Sequence, residues 1–369
     1  MKIKVLIDGY YLSKPRGMGR YAQELINALE NSPLDKYEVH VCVTADTSLG
    51  YMENYKNIKF HYYKKSPFPI WEQFKLPSIA KALKVDIVHA PYNTKPLIFN
   101  LIKFPTVTTI HDLMFLNKEH KVKGLYQQFG NLYRSFIVKT MMLTAKNENI
   151  ITVSNTSKKE INKFLQAESD VVYTSVDYFY NSVENSIKKP VSYPYIYHVG
   201  GISPHKNTEK VIQAFKNSKI KDIKLLISGM PKDCELAKKY EGDQVIFTGW
   251  LKDYEIASLY KYAEFIIFPS LREGYGLPIV EAFKYQRPVI TSNLEPMNEI
   301  AGHAALLINP DSVEEMTRAI SNLYYDLQLR GDLEKESGSR AELFASNVMA
   351  SQVQDVYERI YVYEKSINS

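Results

Sequence analysis

Short apolar runs rich in β-branched residues alternate with amphipathic stretches along most of the chain. The runs are typical of buried strands, and the stretches have the spacing of helices. Strands are predicted at 2–8, 37–44, 58–63, 86–91, 105–111, 149–154, 171–176, 195–200, 223–229, 245–250, 265–270, 288–292 and 305–309. Helices are predicted at 19–30, 71–84, 156–165, 207–217, 253–263 and through most of 312–369. Strands that alternate with helices form parallel sheets, so the pattern predicts an α/β protein.

The alternation is interrupted at 185–195, where prolines and lysines replace the periodic pattern and indicate a linker. A chain of 369 residues is also longer than one hydrophobic core usually serves. We therefore predict two Rossmann-like, doubly wound parallel-sheet domains, at 1–185 and 186–345, with a helix at 346–369 that crosses back to the first domain. Ligands of such sheets bind beyond the carboxyl ends of the strands, so functional residues are expected there.

Composition narrows the class of protein further. Two cysteines, Cys42 and Cys234, exclude a disulfide framework and suit a reducing cytoplasm. The first residues lack a signal-peptide pattern, and no apolar run is long enough to span a membrane, so a cytoplasmic location is expected. Residues 1–150 contain 21 Lys and Arg against 12 Asp and Glu, which favours an anionic ligand or surface in that half, although solvated lysines would give the same count.

The segment REGYGLPIVEAF (272–283) directly follows a predicted strand. Gly274 and Gly276 allow the backbone to approach a ligand closely, and Pro278 suits the first turn of a helix. The N–H groups at such a helix start form an anion site that matches a diphosphate.

Two glutamates flank this turn. Glu273 precedes the helix and lies close to whatever the turn holds. Glu281 lies about one turn into the helix, where a carboxylate can accept both hydroxyls of a ribose. The alternative is that Glu281 only complements the helix dipole and Glu273 is an ordinary loop residue.

Together with other segments, EGYGLPIVEAF resembles the E-x7-E signature of retaining nucleotide-sugar glycosyltransferases with the GT-B fold, in particular glycosyltransferase family 4. The resemblance covers nearly the whole chain. Its other segments are RGMGRYAQELINAL (16–29), TTIHDLMFL (108–116), ITVSNTSKKEI (151–161), HVGGISPHKNTEKVIQAF (198–215) and VIFTGWLKDYEIASLYKYAEFIIFPS (245–270). It implies two Rossmann-like domains that face each other across a cleft.

The resemblance also implies roles for particular residues. The expected catalytic residues are Glu273, His111 and Lys206. Glu273 would contact the donor sugar, His111 would approach that sugar from the N-terminal domain, and Lys206 would bind the diphosphate. The expected donor-binding residues are Gly17, Gly19, His205, Leu251, Gly274, Tyr275, Gly276, Leu277 and Glu281. No metal and no cofactor are expected, because the nucleotide sugar is a substrate.

At two positions the sequence does not decide how the donor is bound. The family usually has an arginine a few residues before the phosphate-binding lysine, and this chain has Gly201 there; His205 or Arg272 would have to compensate. Asp253 has two interpretations, as an acceptor of hydrogen bonds from guanine or as the N-cap of the following helix.

The implied function is transfer of a hexose, best assigned as mannose from GDP-mannose, with retention of configuration. The acceptor would be a glycan or polyprenyl-linked glycan in cell-surface polysaccharide synthesis, and no nucleic acid is expected. Basic and aromatic residues mix in the amphipathic segment 121–142, which suits an anionic membrane surface and a peripheral location on its inner face, unless the segment is an ordinary helix with one buried face.

Alternative functions remain. A UDP- or dTDP-sugar donor would use the same chemistry, and a nucleotide-sugar 2-epimerase or a non-catalytic donor-binding subunit would use the same fold. A dehydrogenase is suggested by GMGRYA (17–22), but a dinucleotide-binding turn should follow its strand at once, and here Gly9 to Arg16 intervene.

Overall fold

The computed structural model describes residues 2–13, 17–116, 125–141, 143 and 148–368. These residues form two compact units. Unit 1 contains residues up to Tyr178 together with Ser346 onward, and unit 2 runs from Phe179 to Ala345.

Unit 1 is built on a seven-stranded sheet in which every pair of neighbouring strands is parallel. Its strands are β1 (Ile3–Asp8), β2 (Tyr37–Thr44), β3 (Ile58–Tyr63), β4 (Ile87–Ala90), β5 (Thr106–Ile110), β6 (Asn149–Thr152) and β7 (Asp170–Val171). They are arranged in the order β3-β2-β1-β4-β5-β6-β7, so the strand order reverses between the neighbouring strands β1 and β4.

The helices of unit 1 connect these strands. They are α1 (Met18–Glu30), α2 (Phe68–Ile70), α3 (Leu76–Leu83), α4 (Ile98–Leu101), α5 (Leu125–Met141) and α6 (Asn155–Leu165); α7 (Asp177–Val183) follows the last strand and continues into unit 2. A π-helical turn at Trp71–Lys75 joins α2 to α3, within the segment that the sequence predicts as one regular helix.

Unit 2 contains a second parallel sheet, of six strands. They are β8 (Tyr195–Val199), β9 (Lys224–Ser228), β10 (Val245–Gly249), β11 (Phe265–Phe268), β12 (Val289–Ser292) and β13 (Ala305–Ile308). Their order is β10-β9-β8-β11-β12-β13, which places the reversal between β8 and β11. The loops after these two central strands therefore lie side by side at the carboxyl edge, where ligands of such sheets bind.

The remaining helices follow the strands of unit 2. They are α8 (Thr208–Ser218), α9 (Glu235–Tyr240), α10 (Asp253–Tyr262), α11 (Leu277–Lys284), α12 (Met297–Ala301), α13 (Val313–Tyr325), α14 (Leu327–Ala341) and α15 (Ser346–Asn368). The last of them, α15, belongs to unit 1, where it packs against α1.

Both sheets are covered on their two faces, which explains why their strands are nearly continuous apolar runs. Val5, Leu6 and Ile7 of β1 are completely buried, as are the four residues of β11. These central strands hold the loops that follow them at fixed positions.

The boundary between the units lies within α7, a few residues before the boundary expected from the sequence at 185/186. The second half of α7 packs on unit 2: the Tyr180 hydroxyl donates to the carbonyl of Glu281 at 2.6 Å, and its ring packs edge-on against Tyr285. Within the described ranges, no helix is both long enough and apolar enough to cross a bilayer.

Candidate functional site

The start of α11 presents backbone donors to a ligand. Gly276 precedes the helix with a φ of 110°, a backbone conformation that favours glycine, and no side chain caps it. Pro278 has no N–H, and the N–H of Ile279 already donates to the carbonyl of Gly276 at 2.9 Å. The N–H of Leu277, at the positive end of the helix dipole, is therefore the donor best placed for an anion.

Lys206 and Glu273 meet just before this helix start. The Lys206 ammonium lies 2.7 Å from Oε1 of Glu273 and 4.8 Å from the centre of the Phe268 ring. The Ser270 hydroxyl donates to the same carboxylate oxygen at 2.6 Å. The two charged side chains are 21% and 17% exposed, so they are held in place yet open to a ligand. Sequence reasoning missed Ser270, whose only signal is its place at the end of a strand.

A short loop after β8 brings Lys206 to this position. The carbonyl of His205 accepts a hydrogen bond from the N–H of Leu271 at 2.8 Å, and the Ser270 oxygen lies 3.0 Å from the same carbonyl. The loops after β8 and β11 are thus fastened to each other by their backbones. The His205 ring lies 4.0 Å from the Glu273 carboxylate, which is beyond a direct hydrogen bond.

In this chain the Lys206 side chain lies beside Gly201, the position where the family usually has an arginine. A Cβ built on Gly201 would lie 3.0 Å from Cγ of Lys206, so the lysine side chain occupies the space beside this glycine. Arg272 is exposed, and its carbonyl is 3.3 Å from the Ser270 hydroxyl. An arginine at position 201 would require the Lys206 side chain to shift.

Glu281 is buried on α11 within a group of tyrosines. These are Tyr180, Tyr197, Tyr260 and Tyr285. Burial raises the pKa of the Tyr260 hydroxyl well above its ordinary value, and the nearby Glu281 carboxylate raises it further. Sequence reasoning found Glu281 and missed the tyrosines, which are scattered along the chain.

The segment after β10 carries Leu251, which is partly exposed in the loop that leads into α10. Lys252 is the N-cap of this helix, and Asp253 is its first residue. The N-cap interpretation of Asp253 is therefore wrong. At this helix start the Glu255 carboxylate accepts a hydrogen bond from the N–H of Lys252 at 2.7 Å.

Unit 1 holds the other expected residues. Gly17 is the N-cap of α1, with a φ of 55°, and Gly19 is buried in the first turn. His111 directly follows β5; its Nε2 donates to the carbonyl of Pro91 at 2.9 Å, and its ring packs edge-on against Tyr21. Burial lowers the pKa of His111, so the ring is neutral at pH 7 and its Nδ1 is a hydrogen-bond acceptor.

The segment 121–142 is described only in part. Lys121 and Lys123 lie outside the described residues. On α5, Ile137 and Val138 are buried, whereas Phe129 and Phe136 are 67% and 60% exposed. In the described part of the chain, no three acidic, histidine or cysteine side chains are grouped so that they could hold a metal ion.

Two families of known proteins match adjoining parts of this chain. Residues 181–340 match the family described as Glycosyl transferases group 1, and residues 15–178 match Glycosyltransferase Family 4. The chain belongs to the group 1 glycosyltransferases related to family 4. The resemblance seen in the sequence is therefore confirmed.

Curated relatives of this glycosyltransferase include two bacterial mannosyltransferases. It is 29% identical to the O-antigen chain mannosyltransferase RfbU of Salmonella typhimurium over 249 residues, which are 60% of this chain and 67% of RfbU. It is 25% identical over 292 residues, 73% of this chain, to the serotype-specific mannosyltransferase WbdA of Escherichia coli. The match spans only 35% of the length of WbdA.

A solved structure with a similar fold is that of Anabaena HepE in complex with UDP and glucose. The TM-score is 0.68, with 18% sequence identity, over 97% of this chain and 100% of HepE. The predicted fold class, GT-B with two Rossmann-like parallel-sheet domains, is confirmed.

Proposed function

We propose that this glycosyltransferase moves a hexose from a nucleotide sugar to a glycan acceptor, with retention at the anomeric carbon. The observation that carries the proposal is the placement of Lys206 and Glu273 beside the uncapped start of α11. RfbU and WbdA are named as mannosyltransferases, so we assign mannose from GDP-mannose as the donor, and cell-surface polysaccharide of the O-antigen type as the product.

In this proposal, the donor lies across the loops after β8 and β11. Its diphosphate accepts hydrogen bonds from the Leu277 N–H and from Lys206, and its ribose hydroxyls donate to Glu281. The Glu273 carboxylate accepts hydrogen bonds from hydroxyls of the transferred sugar. Before the donor binds, Ser270 holds the Glu273 carboxylate and Glu273 holds the Lys206 ammonium. Both charged groups are therefore already in place, which limits the rearrangement that binding requires.

The chemical step breaks the bond between C1 of the sugar and the β-phosphate oxygen. The acceptor hydroxyl forms the new bond to C1 on the same face, and its proton passes to an oxygen of the departing diphosphate. Negative charge grows on the diphosphate as it leaves, and Lys206 and the start of α11 stabilise that charge. In this proposal the leaving group is stabilised by these protein groups, and no metal ion is required.

His111 has the role of a sugar contact in this proposal. Its neutral ring uses Nε2–H on the Pro91 carbonyl, and Nδ1 is then an acceptor for a sugar hydroxyl. Gly17 and Gly19 give the start of α1 a backbone that phosphate or acceptor can approach closely.

The acceptor that we propose is a polyprenyl-linked glycan at an anionic membrane. Its support is a set of large apolar side chains of unit 1 that are exposed. We refer to this set as the apolar surface; it consists of Ile70, Phe74, Leu101, Ile102, Phe129, Leu132, Phe136 and Leu143.

Gln73 joins the segments that carry most of these side chains. Its amide nitrogen donates to the Tyr133 hydroxyl on α5 at 2.9 Å, and its amide oxygen accepts the N–H of Leu97, next to α4, at 2.9 Å. Exposed Lys103 and Lys139 lie on the same segments. Exposed apolar side chains with cations on the same segments fit an anionic lipid surface and a peripheral, cytoplasmic-face location.

The test is a transfer reaction with GDP-mannose, UDP-glucose or dTDP-glucose and a polyprenyl-linked acceptor, with the product analysed by NMR. We expect transfer from GDP-mannose and an anomeric coupling that matches the donor. An inverted product would contradict the mechanism. Transfer from UDP-glucose or dTDP-glucose alone would correct the donor, and conversion of the donor without acceptor would identify an epimerase.

A second candidate function, donor binding without catalysis, is favoured by Gly201. Without the usual arginine, the diphosphate has one cation fewer than is typical of the family. The same reaction decides between the two, because a donor-binding subunit would bind GDP-mannose and release no GDP when acceptor is added.

A further inference from the structure

A chain of buried hydrogen bonds runs through unit 1 from α15 towards His111. The Tyr357 hydroxyl of α15 lies 2.6 Å from Nδ1 of His89 on β4. Nε2 of His89 lies 2.7 Å from the hydroxyl of Thr109 on β5, and that hydroxyl donates to the Tyr21 oxygen on α1 at 3.1 Å. All four side chains are at least 98% buried.

The protons of this chain can be assigned from its chemistry. Burial lowers the pKa of His89 to about 3, so the ring is neutral and has one donor and one acceptor. The single proton of the Thr109 hydroxyl is used on Tyr21, so Nε2–H of His89 must donate to Thr109. Nδ1 is then the acceptor, and the Tyr357 hydroxyl donates to it.

The far end of the chain reaches His111. The Tyr21 ring stands edge-on to the His111 ring, with 4.7 Å between the ring centres. The hydrogen bond from Thr109 fixes the Tyr21 ring, and the Pro91 carbonyl fixes Nε2 of His111. The imidazole is thus held between a hydrogen bond and an aromatic ring that the buried chain orients.

Other contacts dock α15 on unit 1 without taking part in this chain. The Tyr37 hydroxyl donates to the carbonyl of Gln354 at 3.0 Å, and Lys36 pairs with Glu358 at 2.8 Å. The helix has attachments of its own, so the Tyr357 hydroxyl is not needed merely to hold it.

We propose that Tyr357 and His89 are positioning residues for His111, so that a helix from the C-terminal end of the chain completes the site carried by the N-terminal half. Loss of the Tyr357 hydroxyl leaves Nδ1 of His89 buried without a partner in either tautomer. His89 then reorients, Thr109 no longer fixes Tyr21, and the His111 ring loses its support. The kinetic part of this inference rests on the proposed contact of His111 with the sugar.

The test compares two variants of the full chain, Tyr357→Phe and its matched control Tyr37→Phe. Each removes one hydroxyl that bonds α15 to the rest of unit 1, and only the first interrupts the chain. The first readout is the ring-nitrogen NMR spectrum of the histidines, with His111 assigned through a His111→Ala variant. We expect the His111 resonances to move in Tyr357→Phe and to stay in place in Tyr37→Phe.

The second readout is steady-state kinetics. We expect Tyr357→Phe to lower kcat about fivefold with little change in KM, and to have no further effect when His111 is already alanine. Unchanged His111 resonances in Tyr357→Phe, or equal shifts in both variants, would overturn the positioning role. If His111→Ala keeps wild-type turnover, the proposed contact with the sugar fails, and the spectra still decide whether the chain positions the ring.

Discussion

Glu273 is the central residue of the proposed donor site, because one of its carboxylate oxygens accepts hydrogen bonds from both Lys206 and Ser270. The carboxylate holds the Lys206 ammonium, which in our proposal stabilises the departing diphosphate, and it is itself held by a buried hydroxyl. The sequence indicates the two charged residues through their family motif. It does not indicate their mutual contact, because 67 residues separate them and only the side-by-side placement of β8 and β11 joins their loops.

Removal of either member of this pair should impair transfer. We expect Lys206→Ala and Glu273→Ala each to lower kcat/KM at least about tenfold, or ~1.4 kcal/mol, since both act on the transferring group. The control is Lys210→Ala, which breaks an exposed ion pair with Asp311 in the same unit. Transfer rates that match the control for both variants would show that the pair is not the active site.

Glu72 makes the stability of unit 1 depend on pH. Burial raises the pKa of its carboxyl from an ordinary value of 4.5 to about 7, while hydroxyls of Thr94 and Tyr133 bond to it. Between these two pKa values the folded state binds more protons than the unfolded state. Its contribution to stability is therefore present below the lower value and is lost as pH rises through about 7.

Glu72→Gln tests this sign, because glutamine has nearly the same shape as the protonated carboxyl and does not ionise. We expect the Tm difference between variant and wild type to change in favour of the variant from about pH 5 to about pH 8. His89, whose pKa is lowered, gives the opposite trend in both proteins and cancels in the difference. The control Glu314→Gln, on an exposed helix face, should follow the wild type; a pH-independent difference for Glu72→Gln would refute the linkage.

At the level of elements, the start of α11 depends on the conformation of Gly276. Alanine at a φ of 110° is strained, so Gly276→Ala should destabilise the protein by ~1 kcal/mol and move the Leu277 N–H away from the diphosphate. A weaker GDP affinity in calorimetry is the expected consequence.

The matched control is Gly331→Ala within α14, where a Cβ meets nothing within 4 Å. It should stabilise the helix by about 0.5–1 kcal/mol and leave GDP binding unchanged. Equal GDP affinities for Gly276→Ala and the control would remove α11 from the donor site.

The periodic pattern predicted the elements well wherever both faces of a strand are buried. β1, β2 and β11 are found where the apolar runs place them, because long-range burial and local pattern agree there. The short β7 ends after Val171, well before the predicted limit of 176, since an edge strand needs little pairing.

Other local features depend on tertiary contacts that a single sequence does not contain. The π-helical turn at 71–75 accompanies a buried hydrogen bond from Trp71 to Asp8, 63 residues away. Helix α9 was not predicted, because six residues with one buried position carry almost no periodicity. The tyrosines around Glu281 come from four separate segments and meet only in the folded unit.

For the whole molecule, the apolar surface predicts how the enzyme meets its acceptor. Replacement of Phe129, Leu132 and Phe136 by serine should reduce sedimentation with vesicles containing anionic lipid, because it removes exposed apolar area without touching the core. Folding is checked by an unchanged Tm.

The control is a Tyr325→Ser, Leu327→Ser variant, which removes comparably exposed side chains from unit 2. It should sediment like the wild type. Negligible pelleting of the wild type with anionic and neutral vesicles alike would end the membrane part of the proposal.

The measurement that most directly tests the donor site is a crystal structure of the protein grown with GDP-mannose. We predict diphosphate oxygens within hydrogen-bonding distance of the Leu277 N–H and the Lys206 ammonium, the ribose at Glu281 and the sugar at Glu273. A nucleotide bound elsewhere, with the start of α11 free of phosphate, would contradict the account.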